Sequence, residues 1–444
     1  MNDDIIVAIA TSRLEAAISI IRLSGKDCIA FVQNFFTGNI LNKESHTITY
    51  GYIKDKQEKI DEVLVNIYRG KRTFTGEEMV EINCHGGVFI TQKVFQLCLK
   101  NGARMAERGE FSKRAFLNGR IDLSQAEAIS DLISAKNDYA SRLALRGIQG
   151  NISHFIEDLK EDLIQIITQI EVNIDYPEYD DVEELTAETL LPKSISLYDK
   201  MRHIIETSKN TQILKDGIST VIIGKPNVGK SSLLNALLNE EKAIVTDIAG
   251  TTRDIVEGTV RLDQIVLNII DTAGIRNTED IIENIGVHKS KELIHQADLV
   301  LLVLDGSASL TKEDEELLDL SKDTQRIIIY NKMDQGIIDD REGIFISAKN
   351  NDIQSLIKKI KEMFDLGTIT SGQEDILANA RQIQLLENAK YSLESAIEAM
   401  KNQVPTDLIV TDLYESWENL KEILGERAKE DLLDELFKRF CIGK

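Results

Sequence analysis

A β-branched run, Thr220-Val221-Ile222-Ile223, breaks at Gly224 and restarts after Lys225-Pro226-Asn227-Val228-Gly229-Lys230-Ser231-Ser232 as the apolar stretch Leu233-Leu234-Asn235-Ala236-Leu237. Residue types in this order call for a strand, a tight turn and a helix. Gly224, four residues, then Gly229-Lys230-Ser231 is the spacing at which glycine-permitted turns aim successive N–H groups at phosphate oxygens at a helix N-terminus. Asn227, Val228, Gly229, Lys230, Ser231 and Ser232 are therefore candidate nucleotide contacts, with Lys230 reaching the β- and γ-phosphates and the Ser231 hydroxyl on Mg²⁺. The plainer alternative is an ordinary strand-glycine-helix turn. All four fixed residues lie between a strand and a helix, which argues against it.

The rest of the chain has to accommodate that unit. Its 444 residues suffice for two or three domains, and four prolines with few aromatics against 42% hydrophobic residues predict a helix-rich protein rather than an all-β one. A formal charge of -22 argues against a nonspecific polyanion binder, because a field of that sign repels phosphate backbones at long range. A nucleic-acid partner must meet a local basic patch or come through another protein. Cys28, Cys84, Cys98 and Cys441 lack CxxC spacing, so neither a disulfide framework nor a zinc site is expected, and a reducing cytoplasm fits. Met1-Asn2-Asp3-Asp4 is acidic where a presequence is basic, and no apolar run approaches membrane-spanning length, so no targeting signal and no membrane contact are expected.

Residues 1–118 alternate strand-like runs (Ile5 to Ile9, Ile18 to Leu23, Glu62 to Tyr68) with amphipathic stretches such as Gly87 to Lys100, predicting an α+β domain. From 119 to 213 the pattern is helical, through Gln125 to Ile148, His154 to Val172 and Leu190 to about Ile213, and it returns over 371–444 in Gln373 to Lys401 and Leu420 to Phe440. Between them, 214–370 carries strand runs at 220–223, 265–270, 299–304 and 326–330, predicting a doubly wound, mostly parallel sheet. The expected architecture is thus multidomain, α/β and α: an α+β domain, then a helical bundle interrupted by an inserted nucleotide domain. Two separate helical domains are the alternative.

Within the inserted segment, the strand Gln264 to Ile270 leads into Asp271, Thr272, Ala273 and Gly274, where a carboxylate on the Mg²⁺ hydration shell and a glycine N–H on the γ-phosphate are expected. The strand Arg326 to Tyr330 delivers Asn331, Lys332 and, after Met333, Asp334. A carboxylate at Asp334 can accept from the N1–H and N2–H₂ of guanine, whereas adenine offers an acceptor at N1 and nothing at C2, so the nucleotide is GTP. Ser347 and Ala348, with Lys349, would bring a backbone N–H to guanine O6. The loop Thr246, Asp247, Ile248, Ala249, Gly250, Thr251, Thr252 falls where a switch supplies a second hydroxyl to Mg²⁺, and Thr252 is the candidate ligand. Hydrolysis also needs an oriented water. Ile275, directly after the Asp271 element, cannot provide it, and Glu279, Asp280 and Glu283 are the available replacements.

These stretches, with the terminal Cys441-Ile442-Gly443-Lys444, resemble the tRNA-modification GTPases known as MnmE or TrmE over essentially the whole chain. The resemblance also rests on Ile20 to Gly25, Phe74 to Glu81, Cys84-His85-Gly86-Gly87, Gly109 to Ser112 and Arg120 to Ala128. It implies a folate-binding, dimerising N-terminal domain, a homodimer, and an FAD-dependent partner of the MnmG or GidA type in a heterotetramer or larger complex. Together the two would add a carboxymethylaminomethyl or aminomethyl group to C5 of the wobble uridine of certain tRNAs, with 5-formyl- or 5,10-methylene-tetrahydrofolate as cofactor. By matching positions it implies Asn227, Thr246, Ile248 and Thr251 as K⁺ ligands, K⁺ standing where other GTPases receive an arginine finger, and Glu283 as the residue that positions water. Arg22, Glu81, Arg120 and Lys444 match folate contacts, and Cys441 the cysteine proposed to act in the modification. Two positions depart from the family: Thr11 to Ala17 replaces a glycine- and proline-rich turn, and Arg120 stands where many relatives carry lysine. A ribosome-assembly or translation GTPase that binds RNA without chemistry is the competing reading, and it calls for an appended basic module.

Overall fold

The computed structural model describes residues 4–175, 189–238, 256–262, 265–270, 294, 297–336, 342–364, 377, 379–428, 430–440 and 443. The chain divides into two compact units, one of Met1–Ile133, Leu145–Met201 and Gln384–Lys444, the other of Ser134–Ala144 and Arg202–Ile383.

In the first unit, β1 (Ile6–Ile9), β2 (Ile18–Ser24), β3 (Thr47–Asp55), β4 (Glu58–Tyr68), β5 (Met79–His85) and β6 (Arg104–Met105) form one sheet in the order β3-β4-β5-β2-β1-β6. Only β1 and β6 run parallel. The period-2 alternation of strands sends Ile21, Leu23, Val80 and Ile82 into a core with Ile29 and Val32 of the helix Cys28–Gln33 and Val94 and Leu97 of the helix Val88–Lys100. Arg22 and Glu81, directly opposed across β2 and β5, are left on the other face. Cys28, Cys84 and Cys98 are free thiols buried in the unit.

Beside the end of β5, Asp61 Oδ1 lies 2.6 Å from His85 Nδ1, and Asp61 Oδ2 accepts the His85 backbone N–H at 2.9 Å. That carboxylate raises the imidazole pKa above the ordinary 6.5. A raised histidine contributes stability below its unfolded pKa and loses it as pH rises through the folded one. Asp61→Asn should return the His85 titration, followed by NMR, towards its ordinary midpoint. An unmoved midpoint would mean that the pair does not form.

The helical segments show where pattern reading stops. The periodicity predicts one helix over Gln125 to Ile148, but the structure has two, Leu123–Ser134 and Asp138–Ile148. Asn137 Oδ1 accepts the Ala140 N–H at 2.7 Å and starts the second, as asparagine does at a helix N-terminus. The predicted helix over Leu420 to Phe440 is likewise the end of Thr406–Leu424 followed by Glu430–Lys438. Gly425 divides them with a left-handed φ of 83°, at a point where a Cβ would come within 2.8 Å of Leu123 Cβ. Leu433, Phe437 and Phe440 close over Leu123 and Ala126. Residues far apart in sequence are cross-linked in the first unit: the Lys160 ammonium lies between Glu157 and Glu426, and Tyr414 donates to Glu171 at 2.7 Å.

In the second unit, β7 (Ile218–Ile223), β8 (Val256–Leu262), β9 (Ile265–Ile270), β10 (Leu299–Asp305), β11 (Arg326–Asn331) and β12 (Ile344–Phe345) form a sheet in the order β12-β11-β10-β7-β9-β8. Every neighbouring pair is parallel except β8 and β9. Leu299, Leu301 and Val303 of β10 enter one core and Val300, Leu302 and Leu304 another, all six at 0% exposure, so the strand is covered on both sides. The four strands read from apolar runs are all present. Antiparallel β8 escaped that reading because Glu257, Gly258 and Arg261 interrupt its apolar pattern at the sheet edge. Among the described residues, no helix is long and apolar enough to cross a membrane.

Candidate nucleotide site

The sheet's covered strands deliver the site residues at their C-terminal ends, where open α/β sheets bind ligands. β7 stops at Ile223, and the helix Lys230–Leu238 begins six residues after Gly224. The turn between them needs its glycines. Gly224 has φ 154° and a Cβ there would stand 2.3 Å from Val303 O, while Gly229 has φ 99° and its Cβ would stand 2.1 Å from Asn331 Nδ2. Asn227 also takes a left-handed φ, 62°, and is exposed. The N–H groups of a first helical turn point along the axis towards the loop. Lys230 Nζ donates to Gly224 O and to Lys225 O, both at 2.8 Å, and burial lowers its pKa.

Asn331, 3% exposed at the end of β11, joins the phosphate loop to the turn that carries Ser347 and Ala348. Its Nδ2 donates to Val228 O at 2.8 Å and its Oδ1 accepts the Ala348 N–H at 3.0 Å. The expectation of an amide aimed at guanine O6 is thereby narrowed, since the Ala348 N–H serves Asn331 and the Ser347 N–H donates to Asp352 O. Asp334 Oδ1 accepts from Ser347 Oγ at 2.7 Å, which orients the carboxylate. Lys332, with φ 70°, pairs with Asp305 at 2.7 Å. Val228, Gly229, Lys230, Asn331, Lys332, Asp334, Ser347 and Ala348 are thus brought onto one connected set of loops, with Ser231 and Ser232 in the helix that follows.

Two ion pairs tie further residues to these loops, Lys225 with Asp314 and Lys332 with Asp305, each at 2.7 Å. The partners are distant in sequence, so no spacing rule reveals the pairing. The predicted contacts Thr246 to Thr252, Asp271 to Gly274, Glu283, Cys441 and Lys444, together with Ile275, lie outside the described residues.

A second cluster occupies the N-terminal sheet. Arg22 grips Glu81 Oε1 through Nε at 2.9 Å and Nη2 at 2.8 Å, and its Nη1 donates to Gly443 O at 2.8 Å. Glu81 Oε2 also accepts from Tyr68 Oη at 3.1 Å, and Asn66 Nδ2 lies 3.5 Å away. Asn66 Oδ1 is buried without a hydrogen-bond partner, an acceptor of the kind that the amino group of a pterin would satisfy. An orphaned acceptor beside a paired guanidinium and carboxylate is compatible with the folate that the family resemblance implies. Arg120 is exposed, and among the described residues no hydrogen bond joins it to this cluster.

Two family models match the chain. Residues 5–120 fit the one described as GTP-binding protein TrmE N-terminus, and residues 123–441 fit the MnmE helical domain. The tRNA modification GTPase MnmE of Lactococcus lactis subsp. cremoris (strain SK11) is 48% identical over 448 residues, covering 99% of this chain and 98% of that protein. The protein of the same name from Bacillus thuringiensis (strain Al Hakam) is 49% identical over 458 residues, covering the whole of both. Among solved structures, a point variant of Aquifex aeolicus Era bound to GDP·AlF4⁻ is 24% identical with a TM-score of 0.26, over 39% of this chain and 66% of that one.

Proposed function

The chain belongs to the MnmE family of tRNA modification GTPases, and from that premise we propose how its residues divide the work. The observation that supports the reading is the Asn331 link, a single buried side chain hydrogen-bonded both to the phosphate loop and to the turn beside Asp334. Lys230 and the amides of Asn227 to Ser232 receive the triphosphate, and Asp334 selects guanine. Bound Mg²⁺ and K⁺ supply positive charge where negative charge develops during phosphoryl transfer. Ser231 and Thr252 would hold the first ion, and Asn227, Thr246, Ile248 and Thr251 the second. Asp271 to Gly274 follow the γ-phosphate, and Glu283 orients the attacking water.

The chain acts as a cytoplasmic homodimer with an FAD-dependent partner, adding a carboxymethylaminomethyl or aminomethyl group at C5 of the tRNA wobble uridine. Arg22, Glu81, Arg120 and Lys444 hold a 5-formyl- or 5,10-methylene-tetrahydrofolate, and Cys441 takes part in the chemistry. The proposed domains are 1–118, 119–213 with 371–444, and an inserted 214–370. GTP turnover measured in KCl against NaCl tests the ion assignment. Rates several-fold higher in KCl are expected, and equal rates would refute it. For the tRNA step, Cys441→Ser in a deletion strain should abolish the modified wobble nucleoside on mass spectrometry. Unchanged modification would remove Cys441 from the mechanism.

A further inference from the structure

The stretch from the last residue of β10 to the first turn of the following helix, which belongs to none of the nucleotide motifs, grips a lysine in each of the two nucleotide loops. Asp314, 1% exposed in the first turn of the helix Lys312–Leu320, accepts at Oδ2 from the Thr311 N–H (2.9 Å), the Thr311 hydroxyl (2.8 Å) and Lys225 Nζ (2.7 Å). Lys225 lies inside the phosphate loop, and its own carbonyl receives Lys230 Nζ at 2.8 Å. The lysine that meets the phosphates is therefore hydrogen-bonded to the residue whose ammonium Asp314 holds. At the other end of the segment, Asp305 Oδ2 pairs with Lys332 at 2.7 Å, its Oδ1 accepts from the Ser307 N–H at 2.9 Å and hydroxyl at 2.6 Å, and the Gly306 N–H donates to Asn331 O at 2.8 Å. Burial alone would raise both carboxyls, yet their lysine and backbone donors hold both below the ordinary carboxylate range.

We propose that residues 305–314 form a brace that fixes the phosphate loop against the base-reading turn, with Lys225–Asp314 as a positioning pair for nucleotide binding. The pair makes no contact with GTP in this scheme. It acts by holding the Lys225 carbonyl, and through it Lys230, in the binding geometry. A loop freed from Asp314 samples more backbone states, and a bound nucleotide must then pay that ordering entropy. The proposal rests on the reading of this site as a GTP site.

The test is release of mant-GDP from the full chain, by stopped flow, in Lys225→Met, Asp314→Asn and the double variant. Asp314→Asn keeps an oxygen for the Thr311 cap, and Lys225→Met leaves both Thr311 bonds to Asp314 Oδ2 in place, removing only the 3.4 Å contact of Lys225 Nζ with Thr311 Oγ1. Each single variant should release about tenfold faster, the double no faster than either single, and Lys225→Arg should restore near-normal release. A purely structural role would lower the thermal midpoint and leave the rate of mant-GDP release unchanged. Release at the wild-type rate in both single variants, or losses that add in the double, overturns the brace while leaving the GTP site standing. A wild-type chain that fails to bind mant-GDP overturns the GTP reading and the brace with it.

Discussion

Gly229→Ala is expected to remove nearly all GTP affinity. At φ 99° an L-residue is strained by about 1–2 kcal/mol. The larger loss comes from Asn331, whose Nδ2 would stand 2.1 Å from the new Cβ. Neither group can yield cheaply, because Asn331 is 3% exposed and holds Val228 O and the Ala348 N–H at once. Displacing it leaves a buried acceptor and a buried donor unpaired, at about 1–3 kcal/mol each. The total, about 3–8 kcal/mol, corresponds to roughly 10²- to 10⁶-fold in affinity. Calorimetric titration with a non-hydrolysable GTP analogue measures it, and Gly336→Ala separates the two causes. Gly336 has φ 109° with nothing within 4 Å of a built Cβ, so it carries the backbone strain without the clash. If Gly229→Ala bound no worse than Gly336→Ala, the Asn331 link would not be what holds the loop.

The same residues mark the limit of what the sequence discloses. Gly224, Gly229, Lys230 and Ser231 announce themselves, because backbone freedom and phosphate chemistry are local requirements that fix both residue type and spacing. The buried strands of the second unit are equally plain, since a strand covered on both faces must be apolar at every position. Asn331 is visible as a motif member, but its role as a link across 103 positions of sequence is not. Asp314, 89 positions from Lys225, looks like one more carboxylate in the acidic stretch Glu313-Asp314-Glu315-Glu316 until burial singles it out. Helix limits fail for a related reason. Asn137 and Gly425 end one element and begin another through a side-chain cap and a left-handed turn, which apolar periodicity does not register. Where the resemblance goes furthest, at Glu283, the 246–252 loop and Cys441, the positions lie outside the described residues.

Arg22→Met should cost the first unit about 3–5 kcal/mol, because it leaves the Glu81 carboxylate, whose side chain is only 13% exposed, without its cation. Tyr68 and Asn66 remain as its hydrogen-bonding neighbours, and neither carries compensating charge. The same variant also frees the Gly443 carbonyl, which Arg22 Nη1 holds at 2.8 Å, and so unties the strand that would read the folate from the residue between Cys441 and Lys444. Stability and ligand binding can be told apart by removing both charges. An apolar pair of similar volume replaces a buried ion pair at little or no cost, so Arg22→Met with Glu81→Leu should recover much of the thermal midpoint lost by the single variant. Binding of 5-formyl-tetrahydrofolate, followed by calorimetric titration, should stay lost in both, since the double variant restores packing and not the charges that would meet the pterin. Recovery of folate affinity together with the midpoint would make Arg22 and Glu81 a structural pair alone. A single variant as stable as the wild type would mean that the guanidinium and the carboxylate are not joined in solution.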